Sequence, residues 1–321
     1  MNADTFAEWM RRQGHQVICT ESSYWYDAGP RVLQAFPYHW LIRPSHDEIN
    51  SLMIRHGIVS VRYSTPLDFP DGKISYHIGL HLPYNMDMLK SQSRNGVKRG
   101  LSHFKIERIP FERLAEEGWV LMHDTLDRQN RLRSMTQAEW ERVCRAAVDL
   151  PGLEAWAAIS DGELAAALIV CQIDDIWSVP YALSHRKFLG NHVNNALFYA
   201  VSCNLLAREG VKEIFFTVQS LDASPTVDDF KLRMGLIPKA VRQRVDFHPW
   251  LKPFAGPGAH SLFARLLKYN EGSPLIAKAE GMLRFHFEGK HLLAHQHWPE
   301  CLAPYKDEIL RSMDERCNGQ S

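Results

Sequence analysis

The residue types and spacings able to do chemistry gather in three stretches of this 321-residue chain. The first, Lys90 to Arg108, carries Lys90, Arg94, Lys98, Arg99, Lys105 and Arg108 against one acid, Glu107. On a helix Arg94 and Lys98 fall one turn apart with Arg99 beside them, so they either grip a phosphate or carboxylate or form a solvated charged face. The second, His185-Arg186-Lys187-Phe188-Leu189-Gly190-Asn191-His192, leads into the apolar periodicity of Val193 to Glu209. A loop entering a helix offers free amides and the positive dipole end to an anion, here through Arg186, Gly190, Asn191 and the first-turn Asn194. The plain alternative is a basic surface turn capped by Asn191. The third, Phe230-Lys231-Leu232-Arg233-Met234-Gly235, has an ammonium at Lys231 that either stabilises a tetrahedral oxyanion or is simply exposed. Asp228 and Asp229 precede it and could orient it or cap a helix. Tyr181 and His185, at the carboxyl end of an extended run, have groups suited to proton transfer, but equally suit a core and a loop.

The elements that must position these groups are legible from pattern. Thr5 to Gly14 reads as a short helix, and His15 to Thr20, Ile58 to Ser64 and Ile74 to Leu82 as extended segments. Ser45 with Glu48 three residues on is a capping-box pattern opening a helix through His56. A second unit starts at His103 with a strand closed by Pro110, followed by helices over Phe111 to Arg131 and Thr136 to Val148, the latter again a capping box with Glu139. Leu153 to Ile159, Glu163 to Gln172 and Asp175 to Ser184 form an antiparallel meander on the turns Ser160-Asp161-Gly162 and Ile173-Asp174. Then come the helix Val193 to Glu209 stopped by Gly210, a strand Lys212 to Thr217, a short helix around Val227 to Met234, and a strand Ala240 to Phe247. Residues after Trp250 read as a helical appendage behind a Pro/Gly-rich link, Pro253 to Gly258. The predicted division is 1–102, 103–250 and 251–321.

Composition narrows the function. Lys plus Arg and Asp plus Glu both total 37, so no global field holds a polyanion, and any nucleic-acid or phosphate contact is local. The longest clean apolar run, Leu164 to Cys171, falls far short of the roughly 20 residues of a membrane helix. Arg11-Arg12-Gln13 stands where a signal peptide needs apolar residues, so the expected location is cytoplasmic. Six scattered cysteines without a C-x-x-C pair suggest neither a disulfide frame nor a zinc knuckle. His291 and His295 lie four apart with His297 following, but no third ligand spacing stands out and no metal is expected. The aromatic clusters Tyr24-Trp25-Tyr26 and Phe36-Pro37-Tyr38-His39-Trp40 serve either a core or the wall of an acceptor pocket. No G-x-S-x-G, Walker A or dinucleotide fingerprint occurs.

The order β-α-α-β-β-β-α-β-α-β from His103 to Phe247 is that of the GNAT acyltransferases. Two segments resemble the Fem-type (FemAB-like) aminoacyltransferases in particular: Ser91 to Ile106 (SQSRNGVKRGLSHFKI), and Asn194 to Leu236 with its long helix, strand, polar loop and F-K-x-x-x-G at Phe230 to Gly235. The resemblance covers about residues 1–250 and implies an α/β (α+β) fold of tandem GNAT-like units, mixed central sheets flanked by helices. It further implies an acyltransferase moving an acyl or aminoacyl group from a carrier to an amine, with Lys231 at the donor and Arg94 and Lys98 near an anionic acceptor in the interdomain cleft. The acceptor would be a small molecule or peptide. The carrier would be acyl-CoA, another acyl carrier or aminoacyl-tRNA. The acetyl-CoA pattern of Arg or Gln, two residues, Gly, one residue, then Gly or Ala is not met: the loop has one glycine, with Arg186 one residue too far. The physical requirement of such a site is a pair of parallel strands that splay, so that a carrier arm adds like a strand; Pro180 is a candidate cause, as a proline sits inside a strand only at a bulge or an edge. Rival readings are a GNAT fold that binds or regulates without catalysis, and a nucleic-acid binder using the Lys90 to Arg108 patch.

Overall fold

In a computed structural model the described residues are 2–221, 229–269 and 274–318. In chain order the elements are α1 (Ala3–Arg12), β1 (Val17–Cys19), β2 (Tyr24–Gly29), β3 (Val32–Phe36), α2 (His46–His56), β4 (Ser60–Thr65), β5 (Lys73–His81), α3 (Ser91–His103) and β6 (Lys105–Ile109). They continue as α4 (Phe111–Glu117), α5 (Trp119–Arg128), α6 (Gln137–Arg145), β7 (Leu153–Ser160), β8 (Glu163–Ile173), β9 (Ile176–Ser184), α7 (Val193–Leu206) and β10 (Glu213–Val218). The last are α8 (Asp229–Arg233), β11 (Ile237–Phe247), α9 (Pro257–Tyr269), α10 (Pro274–Glu288) and α11 (Lys306–Asn318). The mixed α/β architecture with helical extension is the one expected.

The division of the chain differs from the predicted one. Two compact units interleave in sequence: the first is Met1–His15, Ile78–Thr217 and Asp228–Ile237, the second Gln16–His77, Val218–Val227 and Pro238–Ser321. A cut at 102/103 therefore falls inside the first unit, and residues 251–321 belong to the second. The reason is packing of the amino-terminal helix. α1 buries Phe6, Trp9 and Met10, and the Trp9 indole N–H donates to the Val143 carbonyl of the 137–145 helix at 3.0 Å.

In the first unit β6, β7, β8 and β9 are antiparallel neighbours and β10 pairs parallel to β9. β8 is buried from Leu164 through Cys171, which is why it reads as a continuous apolar run instead of alternating. The turns of this meander use left-handed backbone at Asp161, Gly162 and Asp174, residue types that tolerate it. The expected single helix over Phe111 to Arg131 is broken into α4 and α5 at Gly118, where a Cβ would lie 2.4 Å from the Leu114 carbonyl. α6 opens with the full Thr136/Glu139 capping box.

In the second unit β1, β2 and β3 are antiparallel, β3 runs parallel to β4 through α2, and β11 closes antiparallel on β4. Trp25, Leu33, Leu52, Met53, Val61 and Tyr63 form its core. Of the aromatic clusters, Trp25 and Phe36 are thus fully buried, and Tyr38 donates a hydrogen bond to the Tyr26 hydroxyl at 2.8 Å. The carboxy-terminal helices extend this unit, with Leu283 and Phe285 of α10 packed with Val245 and Phe247 of β11.

Candidate functional site

The β9–β10 pairing is short. Its register is Glu213↔Ile176, Ile214↔Trp177 and Phe215↔Ser178, and ends there, although β9 goes on to Ser184 and β10 to Val218. On its other side β9 is in register with β8 at Cys171↔Ser178 and again at Ile169↔Tyr181, a bulge that takes up Val179 and Pro180. The proline thus occupies the bulge that its missing N–H requires, at the point where the parallel strands part.

The bulge also re-aims the remainder of β9. With one extra residue, Tyr181 shares a face with Ser178 and not with Trp177. Its ring lies edge-on to Trp9 (6.3 Å) and Trp140 (5.7 Å), against α1 and α6. Tyr181 is therefore not brought together with the group around α7.

From Ser184 the chain turns through a short 3-10 segment, Arg186–Asn191, into α7. His185 starts it, its Nδ1 accepting the Lys187 amide at 3.1 Å. Arg186 points to the other side: its backbone N–H and Nε donate to the Asp124 carboxylate, and its Nη2 to Asp127. Burial alone would raise the Asp124 carboxyl, but hydrogen bonds from Arg186 and Arg128 hold it below the usual carboxylate range. Arg186 thereby anchors the loop to α5. Lys187 pairs with Glu163 at 2.8 Å and lies over the Phe188 ring. Gly190 is exposed, and a Cβ there would meet nothing within 4 Å.

His192 enters α7 in the left-handed conformation (φ 58°), and no side chain caps the helix. Nor does its first turn, with Asn194 and Asn195, carry an acid. The amides of this tip and the dipole behind them suit an anion. The equivalent place in the second unit is closed. There β3 and β4 also part after Gln34↔Arg62, but the Ile42 N–H bonds to the Ser64 carbonyl at 3.0 Å across the gap. The tip of α2 is capped by Ser45 and carries Asp47 and Glu48.

Two further elements converge on α7. α3 lies against its first turn through Gly96 and Gly100: a Cβ at Gly96 would meet His192 Nδ1 at 3.1 Å and Asn195 Nδ2 at 3.3 Å, and one at Gly100 would meet Ala196 Cβ at 2.7 Å. The Ser93 hydroxyl donates to the Arg233 carbonyl at 2.8 Å, and Asn195 reaches Met234 Sδ at 3.2 Å, joining the end of α8 to both helices. Lys231 on α8 sits over the Phe216 ring of β10 at 5.5 Å, and Phe216 packs on Phe198 of α7. The structure thus brings the Lys231 segment, the α7 tip and the basic helix α3 together. Within α3, Arg94 is half-buried and folds back to the Leu89 carbonyl at 3.3 Å, whereas Lys98 and Arg99 are exposed. Asp228 lies outside the described residues. His192 and Asn195 were not among the sequence candidates; the four-residue spacing of Gly96 and Gly100 signals a close helix contact but does not name its partner residues.

The sequence matches no family model and no curated protein. The fold does have solved counterparts. The structure of FemX aligns over 77% of this chain and 92% of its own at 10% identity, with a TM-score of 0.54. L-PGS from Bacillus licheniformis aligns over 77% of this chain and 91% of its own at 11% identity, with a TM-score of 0.50. At such identities the likeness is one of architecture, and on it the chain has a GNAT-like fold of the Fem type.

Proposed function

We propose that this protein is an acyl- or aminoacyltransferase, moving an acyl group from a carrier thioester or ester to an amine. The observation that carries the proposal is the early end of the β9–β10 register beside the Val179–Pro180 bulge, next to an uncapped helix tip. A carrier's amide-rich arm would add along the parted strands, and its phosphates would meet the amides near Gly190, Asn191 and Asn194. The amine nitrogen attacks the carbonyl carbon, the carbon–sulfur or carbon–oxygen bond breaks, and a proton leaves the nitrogen for the departing group. Lys231 is proposed to stabilise the oxyanion, and His185, at the start of the loop, to take part in proton transfer. Arg186 contributes by positioning the loop, since its guanidinium is bound to Asp124 and Asp127. Lys98 and Arg99, with Arg94 behind them, are proposed to hold an anionic acceptor.

Positioning supplies most of the rate in such a scheme. The test is thermal denaturation with acetyl-CoA, longer acyl-CoAs and aminoacyl-tRNA in turn. A carrier at about a hundred times its Kd should stabilise the fold by about 2.7 kcal/mol. If none of them raises the melting temperature, the transferase reading fails and a non-catalytic role for the fold replaces it.

A further inference from the structure

The second unit presents a surface that the proposed transfer site does not use. From His248 to Tyr269 the sequence contains Lys252, Arg265 and Lys268 but no Asp or Glu, in a chain whose formal charges cancel as a whole. In the same segment Trp250 is 83% exposed, Phe254 74%, Leu262 56% and Leu266 41%. Single exposed apolar residues need no explanation, but a concentration of this kind marks an interaction surface. The turn before α9 is held by backbone bonds, Leu251 N–H to His248 at 2.7 Å and Ala255 N–H to Leu251 at 3.0 Å. α9 seats Ala259 and Phe263 against the buried cluster of Val245, Phe247 and Phe285, while Leu262 and Leu266, one turn apart, are exposed together with Arg265.

Chemistry selects the occupant. Trp and Phe tips with leucines on a helix, interleaved with cations and with no acid of their own, match the acyl–headgroup boundary of a negatively charged bilayer; Glu280 of α10, which reaches the segment, is held by His260 at 2.9 Å and Arg284 at 3.3 Å. A second copy meeting this patch by a two-fold axis would bring together two surfaces whose segments carry cations and no acid to answer them. We infer that residues 248–269 form a docking surface for an anionic lipid surface, with Trp250, Phe254, Leu262 and Leu266 entering the boundary and Lys252 and Arg265 meeting phosphates.

The full chain should co-sediment with vesicles of mixed phosphatidylglycerol and phosphatidylcholine and much less with phosphatidylcholine alone. Each cation near such a surface strengthens binding roughly fivefold, so Lys252→Gln with Arg265→Gln should weaken it by roughly 25-fold. Trp250→Ser with Phe254→Ser should weaken it at least tenfold, with the melting temperature unchanged. The inference is overturned if the charged vesicles do not bind, if both double variants bind as well as the parent, or if the aromatic variant abolishes a dimer in a protein that ignores vesicles.

Discussion

Lys231 and His77 show how differently two basic side chains behave in this molecule. Lys231 lies over an aromatic ring at the end of a parted strand, and changing it to Ala removes a charge from the proposed reaction centre while leaving the Phe198–Phe216–Phe230 packing in place. Turnover should fall at least tenfold with an unchanged circular dichroism melt, and a normal rate would remove Lys231 from the mechanism. His77 is buried and in contact with the Ser64 hydroxyl at 2.8 Å. Burial first, and then the charges of Lys239, His39 and Arg62, push its imidazole down to about 3. The unfolded chain takes up this proton near pH 6.5 and the folded one near 3, so its contribution to stability is complete above pH 6.5 and is lost as pH falls through that window. From this group the protein should lose about 2 kcal/mol between pH 7 and pH 5, read from urea midpoints. His77→Gln, which keeps a hydrogen-bonding group, should flatten that part of the profile.

At the scale of elements, α3 and α7 approach because Gly100 has no side chain. A Cβ there would lie 2.7 Å from both Ala196 Cβ and the His192 carbonyl oxygen. Gly100→Ala gains about 1 kcal/mol in helix propensity, but overpacking costs about 1–3 kcal/mol and shifts the α7 tip. Denaturant unfolding should show net destabilisation, and carrier binding should weaken further than the lost stability explains.

The elements most legible in the sequence were those whose signals are local. The meander β7–β8–β9 was marked by its turn residues, α6 by its capping box, and α7 by its apolar spacing. At α2 the helix start was right, with Ser45 accepting the Glu48 amide at 3.1 Å, while the Glu48 carboxylate also accepts from Ser22, a partner the local pattern does not announce. β2 and β3 escaped notice as strands, since their aromatic residues read as a cluster and Asp27 to Arg31 interrupts the alternation. The parting of β9 and β10 was legible through Pro180 alone. The turning of Tyr181 was not, because the face a side chain takes past a bulge depends on the partner strand's count. Likewise Arg186 was read as a free cation because its partners, Asp124 and Asp127, lie about sixty residues earlier.

For the molecule as a whole, interleaving governs what can be separated. The first unit needs α1, the end of β5 and α3 as well as residues 103–217 and 228–237. A fragment of residues 103–250 lacks the helix whose Trp9 packs on Tyr181 and bonds the Val143 carbonyl, and lacks the glycine face that packs on α7. That fragment should show no cooperative urea transition, whereas the full chain should. Among the described residues no helix is long and apolar enough to cross a membrane.

The two helix tips that come after parted parallel strands are unequal: α2 has its own serine cap and two acids, while α7 has neither. Duplication of the architecture therefore does not duplicate the uncapped tip. Calorimetric titration should count one equivalent of phosphate-bearing donor per chain, and replacing Ser45, Asp47 and Glu48 would be the way to ask whether the dormant tip can be made to accept another.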